Sequence, residues 1–448
     1  MTSTDAYYNK MTETPVSKLI VTLGIPTTIS MLVTSIYNMA DTYFVGTLGE
    51  SPQAATGILF TLQAIIQAIA FMLGQGSGTM VSKALADKNK NEASEYVSTA
   101  FFVGLTIGTV LTILGLIFID SFMTLLGSTE TILPYARQYG LWVLLAAPFM
   151  TCSFILNNNL RYEGKSFYAM IGLVSGGIIN ILGDYLLLNV YSMGVFGAGL
   201  STAVSQIISF LMLLFFHRKT AQGVISIKFI SKNISVLATI SKVGFPALIR
   251  QGLTSISNGL LNNLTRPFGD AAIAAMSVVN RYSMLVMCVG LGIGQGFQPV
   301  ASFNYQAKRY DRVKKGLLFT MTVGVVLVGI MSLPGLLFPE QIVSMFQKSK
   351  EVQEIGGLAL RAASLGVLFH PLSIPVNMLY QSIRKAGISS FLSLLRSGLM
   401  LIPALIITTT FLGLTGIQIS QPIADIGTGL ISIPFIITFL KKRDEDMK

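Results

Sequence analysis

Two aspartates stand inside long apolar stretches of the sequence. Asp41 belongs to the stretch from Leu19 to Gly49, and Asp184 belongs to a later stretch. Asp184 follows Asn180 by four residues, so the side chains of Asn180 and Asp184 lie on the same face of one helix. A charged side chain within a membrane-spanning helix is costly and therefore indicates a functional site. Two carboxylates held together away from water cannot both be charged without a large cost in free energy, so one of them tends to hold a proton. A proton-exchange site requires such an acid. The alternative is that both acids only mark the outer ends of their helices.

A third acid and a proline also break the apolar pattern. Asp425 lies within the last apolar stretch. It is either a second carboxylate for an ion or a substrate, or a buried acid paired with an arginine of the C-terminal half. The candidate partners are Arg250, Arg281 and Arg396. In the first stretch, Pro26 lacks a backbone N–H donor and predicts a bend in the helix that carries Asp41.

These residues must be positioned by membrane-spanning helices. Of the 448 residues, 52% are hydrophobic and only 11% are charged, whereas about a quarter of a soluble domain is charged. Such a chain cannot cover a water-facing surface, so we predict an all-α integral membrane protein. Each apolar run is long enough to cross a bilayer, which takes about 20 residues. The twelve runs are 19–44, 53–79, 96–119, 135–156, 167–188, 194–216, 234–262, 272–298, 316–338, 356–380, 388–412 and 414–440.

The basic residues collect on alternate loops. Of the 31 Lys and Arg residues, 22 fall on one side, where they include Lys18 near the start and Arg443 and Lys448 at the end. The other side has few, such as Arg137 and Lys348. Because basic loops stay in the cytoplasm, this pattern predicts that both termini are cytoplasmic. It also accounts for the net charge of +11 without a nucleic-acid partner.

The two halves of the chain are repeats. A shift of 220 in the numbering aligns Gly24 to Lys88 with Gly244 to Lys308 at 15 identities in 65 positions without a gap. Further along, a shift of 223 pairs Arg161 with Arg384, and a shift of 219 pairs Gly194 with Gly413. A register held through proline, asparagine and glycine is not expected from shared apolar composition alone.

The repeat sets the predicted architecture. Each half holds six of the twelve spans, so both halves begin on the same side of the membrane and the repeats are parallel. We expect an N-terminal lobe of residues 1–225 and a C-terminal lobe of residues 226–448. In transporters built this way, the substrate site lies between the halves near the midplane of the membrane. The architecture therefore predicts a secondary transporter, with a channel as a more distant possibility.

Several motifs, in their order and spacing, resemble the multidrug and toxic compound extrusion (MATE) family over the whole chain. They are Asp41 followed by Thr-Tyr-Phe-Val-Gly-Thr-Leu-Gly, then Gly74-Gln-Gly76, Asn180-Ile-Leu-Gly-Asp184 and Gly194-Val-Phe-Gly-Ala-Gly-Leu-Ser-Thr202. The resemblance implies two six-helix lobes that form a V-shaped cleft. It also implies export of cationic and amphipathic compounds, including drugs and antibiotics, in exchange for protons or sodium ions by alternating access.

The resemblance also implies a coupling site in the N-terminal lobe. In one branch of the family an acid and polar cluster handles the ion, and the matching residues here are Asp41, Tyr139, Asn180, Asp184 and Thr202. Another branch places acids at positions that correspond to Thr254 and about Ser373, which are uncharged. The N-terminal site is therefore favoured, with a proton preferred and sodium possible at Asp41, Asn180 and Asp184. The repeat supports the N-terminal site as well. Asp41 aligns with Leu261, so this acid does not recur in the second half, whereas a purely structural acid could recur in both halves.

A second hypothesis is a lipid-linked oligosaccharide flippase of the same superfamily. A flippase tends to hold a pyrophosphate with cationic residues, whereas the N-terminal spans carry almost none. An enzyme has no support, since we find no nucleophile elbow, metal spacing or nucleotide loop. We expect no cofactor, a small cationic or amphipathic substrate and contact with membrane lipid. We also expect a monomer in the plasma membrane, here a bacterial inner membrane.

Overall fold

The computed structural model describes residues 3–346 and 349–442, and every regular element within them is helical. Two π-helical turns (Tyr185–Val190 and Leu395–Leu401) and three 3-10 turns (Ile227–Phe229, Arg266–Phe268 and Val367–Phe369) interrupt or join the helices. The helices are α1 (Ser3–Glu13), α2 (Val16–Gly46), α3 (Glu50–Ala86), α4 (Lys90–Ile117), α5 (Ile119–Leu125), α6 (Leu133–Tyr162), α7 (Ser166–Asp184), α8 (Gly194–Thr220), α9 (Ile234–Thr265), α10 (Asp270–Gln306), α11 (Tyr310–Leu337), α12 (Pro339–Phe346), α13 (Lys350–Gly366), α14 (His370–Ser382), α15 (Ala386–Leu394), α16 (Ile402–Leu412) and α17 (Leu414–Lys441).

Within the described ranges, eleven helical segments are long and apolar enough to cross a membrane. The remaining predicted span coincides with α9, which has 32 residues and is long enough as well. Lys242 and Arg250 lie in α9 and lower its mean hydropathy. The all-α membrane fold is thereby confirmed. The predicted orientation stays a prediction, and Lys348, Arg443 and Lys448, which helped to define it, lie outside the described residues.

The repeat is visible in the backbone as well as in the sequence. Lys88 and Lys308, which correspond at the shift of 220, each lie two residues after the end of a helix and have a φ of 58°. Gly49 and Gly269 have φ values of 129° and 88° immediately before the next helix. Positive φ is rare for residues other than glycine, so two lysines in this conformation at equivalent positions are a specific sign of duplication. The Gly194 and Gly413 pair, with φ values of 60° and 57°, confirms the shift of 219.

One predicted register is wrong by three residues. The turn after α6 has its positive φ at Gly164, and the turn after α14 has it at Arg384, so these two residues correspond at a shift of 220. The side-chain amide of Asn157 donates to the carbonyl of Ala169, and Asn377 donates to Ser389 in the same register. Arg161 therefore does not correspond to Arg384. The sequence suggests a false equivalence because both arginines lie close to the end of a helix that is followed by a similar turn.

The described chain forms two compact units. The first unit consists of Ile29–Leu248 with the chain up to Tyr8, and the second consists of Asn9–Thr28 with the chain from Ile249 onward. In α2 and in α9 the change of unit falls two residues after a proline, Pro26 and Pro246 respectively. The sequential lobes divided at residue 225 and the V-shaped cleft stay predictions.

Each unit has its own core. In the first unit, α6 packs against α3, α4 and α8, and α7 packs against α8. In the second unit, α10 packs against α11, α13 and α14, while α17 packs against α13, α14 and α16. Corresponding helices thus make corresponding contacts. The core between α3 and α6 includes Leu62, Ile66 and Leu144, which are fully or almost fully buried.

Candidate functional site

Five predicted site residues meet within the first unit. Asp41 comes from α2, Tyr139 from α6, Asn180 and Asp184 from α7, and Thr202 from α8. All five side chains are at most 6% exposed. The structure therefore brings together residues that lie far apart in the sequence, and we call them the acid-pair cluster.

A directed chain of hydrogen bonds runs through the acid-pair cluster. The hydroxyl of Tyr139 donates its single proton to Oδ2 of Asp41 at 2.8 Å. The Tyr139 oxygen lies 3.0 Å from Oγ1 of Thr202, so Thr202 must be the donor in that contact. The Thr202 hydroxyl in turn accepts a hydrogen bond from the amide of Asn180 at 3.2 Å. Because bonds aligned in one direction polarise one another, the chain stabilises negative charge on Asp41.

Asp184 lies in the same cluster but has a different environment. Its two carboxyl oxygens are buried and, within the described part of the chain, have no hydrogen-bond partner. Oδ1 of Asp41 and Oδ1 of Asn180 are also buried without a partner there. The charges of Asp41 and Asp184 interact with each other. No described basic side chain forms an ion pair with either acid, so the cluster is rich in acceptors and short of positive charge.

The backbone around the acid-pair cluster is shaped for close helix contact. A Cβ added to Gly183 would lie 2.5 Å from Oγ of Ser201, so a larger residue would displace the Ser201 side chain or separate α7 from α8 at this point. Likewise, a Cβ on Gly199 would lie 3.1 Å from Cα of Tyr139. Small residues permit such approaches between membrane helices. Asp184 is the last residue of α7 before the π turn, a distortion that is frequent at functional sites.

The cluster includes two further residues that the sequence does not single out, Ser201 and Tyr37. Ser201 donates to the backbone carbonyl of Asn180 at 3.0 Å and thereby ties α8 to α7. Tyr37 interacts electrostatically with Asp41 and contacts Gln206 through its hydroxyl. Tyr37 lies four residues before Asp41, so helical spacing could have identified it. Ser201 gave no comparable signal, because its neighbour Thr202 already accounted for the motif.

Asp425 lies in a separate cluster in the second unit. Its Oδ1 accepts a hydrogen bond from Nε of Arg396 at 2.7 Å and lies 3.1 Å from Nε2 of His370. Asp425 and His370 are 1% and 2% exposed. Nη1 of Arg396 also contacts the sulfur of Met287 at 3.7 Å. Among the three candidate arginines, the partner of Asp425 is therefore Arg396. We call Asp425, Arg396 and His370 the ion-pair cluster.

The structure also describes the surroundings of Pro26, the groups that could bind a metal ion and the two cysteines. Pro26 lies inside α2, and the helix is continuous through it, so the bend stays a prediction. Residues 3–346 and 349–442 contain no group of three or more His, Cys, Asp or Glu side chains placed to hold a metal ion. Cys152 and Cys288 are buried, and neither forms a disulfide bond with a described residue.

The fold and the sites define a multi-pass helical membrane protein with two related six-helix repeats. The MatE family model matches residues 26–186 and 246–406, two ranges that correspond in the register of the repeat. The chain belongs to the MatE family.

Relatives and solved structures agree with this assignment. The chain is 26% identical over 423 residues to the multidrug export protein MepA of Staphylococcus aureus, and the match covers 94% of this chain and 92% of MepA. A crystal structure of MATE in complex with MaL6 aligns with a TM-score of 0.90 at 24% identity, covering 97% of this chain and 99% of the other. A MOP superfamily transporter from Pyrococcus furiosus aligns with a TM-score of 0.90 at 24% identity, covering 97% and 98%. Family membership confirms that the chain is not an enzyme.

Proposed function

We propose that the chain is an ion-coupled antiporter that exports cationic or amphipathic compounds, with the proton as its coupling ion. Membership of the MatE family and the likeness to a multidrug export protein support the export of small molecules. The observation that carries the coupling ion is the pair of buried acids, Asp41 and Asp184, which has no basic partner among the described residues. The chain would act as a monomer in a bacterial cell membrane with both termini in the cytoplasm.

The two acids have different roles in proton exchange. Asp41 receives the hydrogen bond from Tyr139 and is stabilised as a carboxylate. Asp184 is buried without a donor, an environment that favours the neutral acid, so Asp184 takes up the shared proton. When the proton leaves, two negative charges remain close together in a medium of low dielectric constant. The repulsion is relieved by a change in helix packing or by the entry of another cation.

Helix α2 is the element that can transmit this change. It carries Asp41, and its residues pass from the second unit to the first two residues after Pro26. A helix that lacks one backbone hydrogen bond bends at a lower cost than an intact one. Binding of an ion in the acid-pair cluster changes the charge next to Asp41 and then favours one conformation of α2, and binding of the exported compound favours the other. Ion and compound are thereby coupled through their different affinities for the two conformations.

Sodium is the second candidate ion, and the same cluster supports it. Oδ1 of Asp41, Oδ1 of Asn180 and the carboxylate of Asp184 are buried oxygens without partners among the described residues. Hard cations are bound by oxygen atoms of this kind. A proton needs only one of these oxygens, whereas sodium needs several of them to converge.

A transport assay with separate gradients tests the proposal. Purified full-length protein is reconstituted into liposomes, and uptake of a fluorescent hydrophobic cation is followed under a pH gradient without sodium and then under a sodium gradient at equal pH. We expect transport with the pH gradient alone. Transport with the sodium gradient alone would assign the ion to sodium, and no transport of any of a panel of cationic dyes under either gradient would contradict the exporter.

A further inference from the structure

A cavity of about 490 Å³ in the second unit lies at the ends of α2 and α11. Three basic side chains line it, Arg309, Arg312 and Lys315, together with a single acid, Asp311. The remaining lining residues are Thr12, Pro15, Val16, Ser17 and Phe319. We call this space the basic cavity.

Arg312 is held rigidly at the wall of the basic cavity. Its Nε donates to Oδ1 of Asn304 at 2.9 Å, and its Nη2 donates to the backbone carbonyls of Met11 at 3.2 Å and Thr14 at 2.5 Å. Within the described part of the chain, Nη1 has no hydrogen-bond partner. One edge of the guanidinium thus fixes the chain before α2, while Nη1 stays available for a ligand. A guanidinium fixed in this way loses little side-chain entropy when it binds an anion.

The charges around the cavity are not balanced. The positive charges of Arg309 and Arg312 repel each other, and Asp311 is the one carboxylate that interacts with Arg312. Neither Arg309 nor Lys315 forms an ion pair with a described residue. An anion seated between them would relieve the repulsion and gain charge-assisted hydrogen bonds.

The repeat shows that the fold does not require cations at this turn. At the shift of 220, Arg312 corresponds to Glu92 and Lys315 corresponds to Glu95. The positions equivalent to two cations of the basic cavity are therefore acidic in the first unit. A general excess of basic residues on one side of the membrane would not produce this local reversal of charge.

The position of the cavity along the helix fits a lipid headgroup. Helix α11 has 28 residues and is therefore about 42 Å long, which exceeds a hydrocarbon core of about 30 Å by roughly one turn at each end. Arg309 to Lys315 then lie at the level of the headgroups. Phe319 lies about 6 Å further along the helix, where the acyl chains begin. Basic pockets between helices at this level bind anionic lipid headgroups.

We propose that the basic cavity binds the phosphate of an anionic phospholipid, with Arg309, Arg312 and Lys315 around the headgroup and Phe319 beside the first part of an acyl chain. This site is separate from the acid-pair cluster and does not depend on the proposed coupling ion.

Lipid binding to purified full-length protein tests the proposal. Delipidated protein is titrated with phosphatidylglycerol or phosphatidylcholine in detergent, and native mass spectrometry gives the fraction that carries one lipid. The double variant Arg309→Gln with Lys315→Gln should bind phosphatidylglycerol at least about tenfold more weakly, because each cation at a membrane surface strengthens binding to anionic lipid severalfold. Phosphatidylcholine binding should not change. A matched double variant, Lys228→Gln with Lys232→Gln, removes two cations elsewhere and should bind like the original protein.

Two further arms identify the occupant. The single variant Lys315→Glu introduces the charge that Glu95 has in the first unit and should also weaken binding. It provides an independent test if the double variant does not fold. Inorganic phosphate at millimolar concentration should not displace the lipid. The helix turn that lines the cavity also contacts the end of the described chain, where Nζ of Lys314 donates to the carbonyl of Lys442 at 2.6 Å. A chain ending at residue 442, which removes the acids at 444–446, should bind lipid equally well.

Each contrary result would overturn the proposal. Equal lipid binding by the cavity variants and the matched control would mean that the cations do not form a site. Displacement by phosphate would indicate a site for a soluble anion. A severalfold gain in lipid binding on removal of residues 443–448 would show that the acidic tail occupies the cavity.

Discussion

The two units bury their acids in opposite ways. In the first unit, Asp41 and Asp184 lie near each other without a basic partner among the described residues, and Asp184 has no hydrogen-bond donor there. In the second unit, Asp425 shares one oxygen between Arg396 and His370. The first arrangement is stable only when a proton or another cation is present. The second already contains its cation, because arginine remains charged in proteins.

The difference assigns the clusters different tasks. A buried carboxylate paired with arginine cannot take up a proton without leaving the guanidinium unpaired, which costs free energy. The ion-pair cluster is therefore suited to holding α17 against α14 and the π turn that carries Arg396. The acid-pair cluster can exchange an ion because nothing in the described protein neutralises it permanently.

The largest effect is expected from neutralising the acid pair. Asp41→Asn or Asp184→Asn should leave the protein folded and inserted but reduce gradient-driven export to the level of protein-free liposomes. An amide approximates the protonated acid and should hold one conformation. The measurement is dye transport by reconstituted protein, with equilibrium dye binding measured in parallel, and binding should change far less than transport.

Asp120→Asn is the matched control for the acid pair. Asp120 is in the same unit, and its side chain is 54% exposed in a weak ion pair with Arg137. The control should transport normally. Near-normal export by both acid-pair variants would contradict the N-terminal coupling site and make Asp425 the next acid to test.

The next effect is one of stability. Asp425→Asn should lower the free energy of unfolding by about 1.5–3 kcal/mol, because it removes the charged acceptor of the hydrogen bond from Arg396, whose side chain is 20% exposed. The double variant Asp425→Leu with Arg396→Met should recover much of the loss, since a well-packed apolar pair avoids the cost of burying charge. Thermal unfolding of the purified variants checks both. If Asp425→Asn keeps its stability and loses coupling, the roles of the two clusters are reversed.

How far the sequence predicts this comparison depends on the kind of signal. Asp41, Asp184 and Asn180 are polar residues in apolar runs, so the sequence alone indicates them as candidate functional residues. The partner of Asp425 was not visible, because Arg250, Arg281 and Arg396 all lie in the C-terminal half and only tertiary packing distinguishes them. The repeat was predictable where glycine and proline fix the backbone.

The predicted register of the repeat is wrong where it rests on matching side chains and not on the backbone conformation of a turn. Arg161 and Arg384 are identical residues near similar turns, yet the positive φ belongs to Gly164 in one turn and to Arg384 in the other. A non-glycine residue in that conformation gives no reliable sign in the sequence. The fold, which depends on many weak apolar contacts, was therefore predicted more fully than the side-chain partners, which depend on single positions.

A smaller effect is expected from the hydrogen-bond chain. Tyr139→Phe removes the donor to Asp41 and should slow gradient-driven export about 10- to 100-fold, because a hydrogen bond to a charged group contributes about 1.5–3 kcal/mol. Thr202→Val should have a smaller effect, since it breaks a bond between neutral groups. Tyr135→Phe, one turn earlier on α6, is the matched control. Equal rates for all three variants would exclude a role for the chain in coupling.

The smallest effect concerns a third way of burying an acid, at Glu163 between α6 and α7. Its carboxylate accepts hydrogen bonds from the backbone N–H groups of Gln222 and Gly223 in the segment that follows α8. Burial raises the pKa of Glu163 to about 7, although those two bonds and the charges of Lys165 and Lys90 act in the opposite direction. The acid is thus satisfied by backbone donors, and among the described residues it pairs neither with a second acid nor with an arginine.

The sign of the pH dependence follows from that raised pKa. The folded state binds the proton more tightly than an unfolded chain, whose carboxyl has the ordinary pKa of 4.5. Docking of the segment is therefore most stable below about pH 4.5 and loses stability as the pH rises to about 7. Between pH 6 and pH 8 the opening equilibrium of residues 222–226 should increase about tenfold.

Amide hydrogen exchange at residues 222–226, corrected for the intrinsic dependence on pH, measures the effect. Glu163→Gln should abolish the pH dependence while keeping one acceptor for the backbone N–H groups, and gradient-driven export should change much less than in the acid-pair variants. Glu95→Gln, on the neighbouring helix α4, is the control and should keep the original pH profile. An unchanged pH dependence in Glu163→Gln would assign the titration to another group. A loss of export as large as that of Asp184→Asn would mean that the acid outside the membrane also belongs to the coupling machinery, and the contrast between exchangeable and permanently satisfied acids would no longer hold.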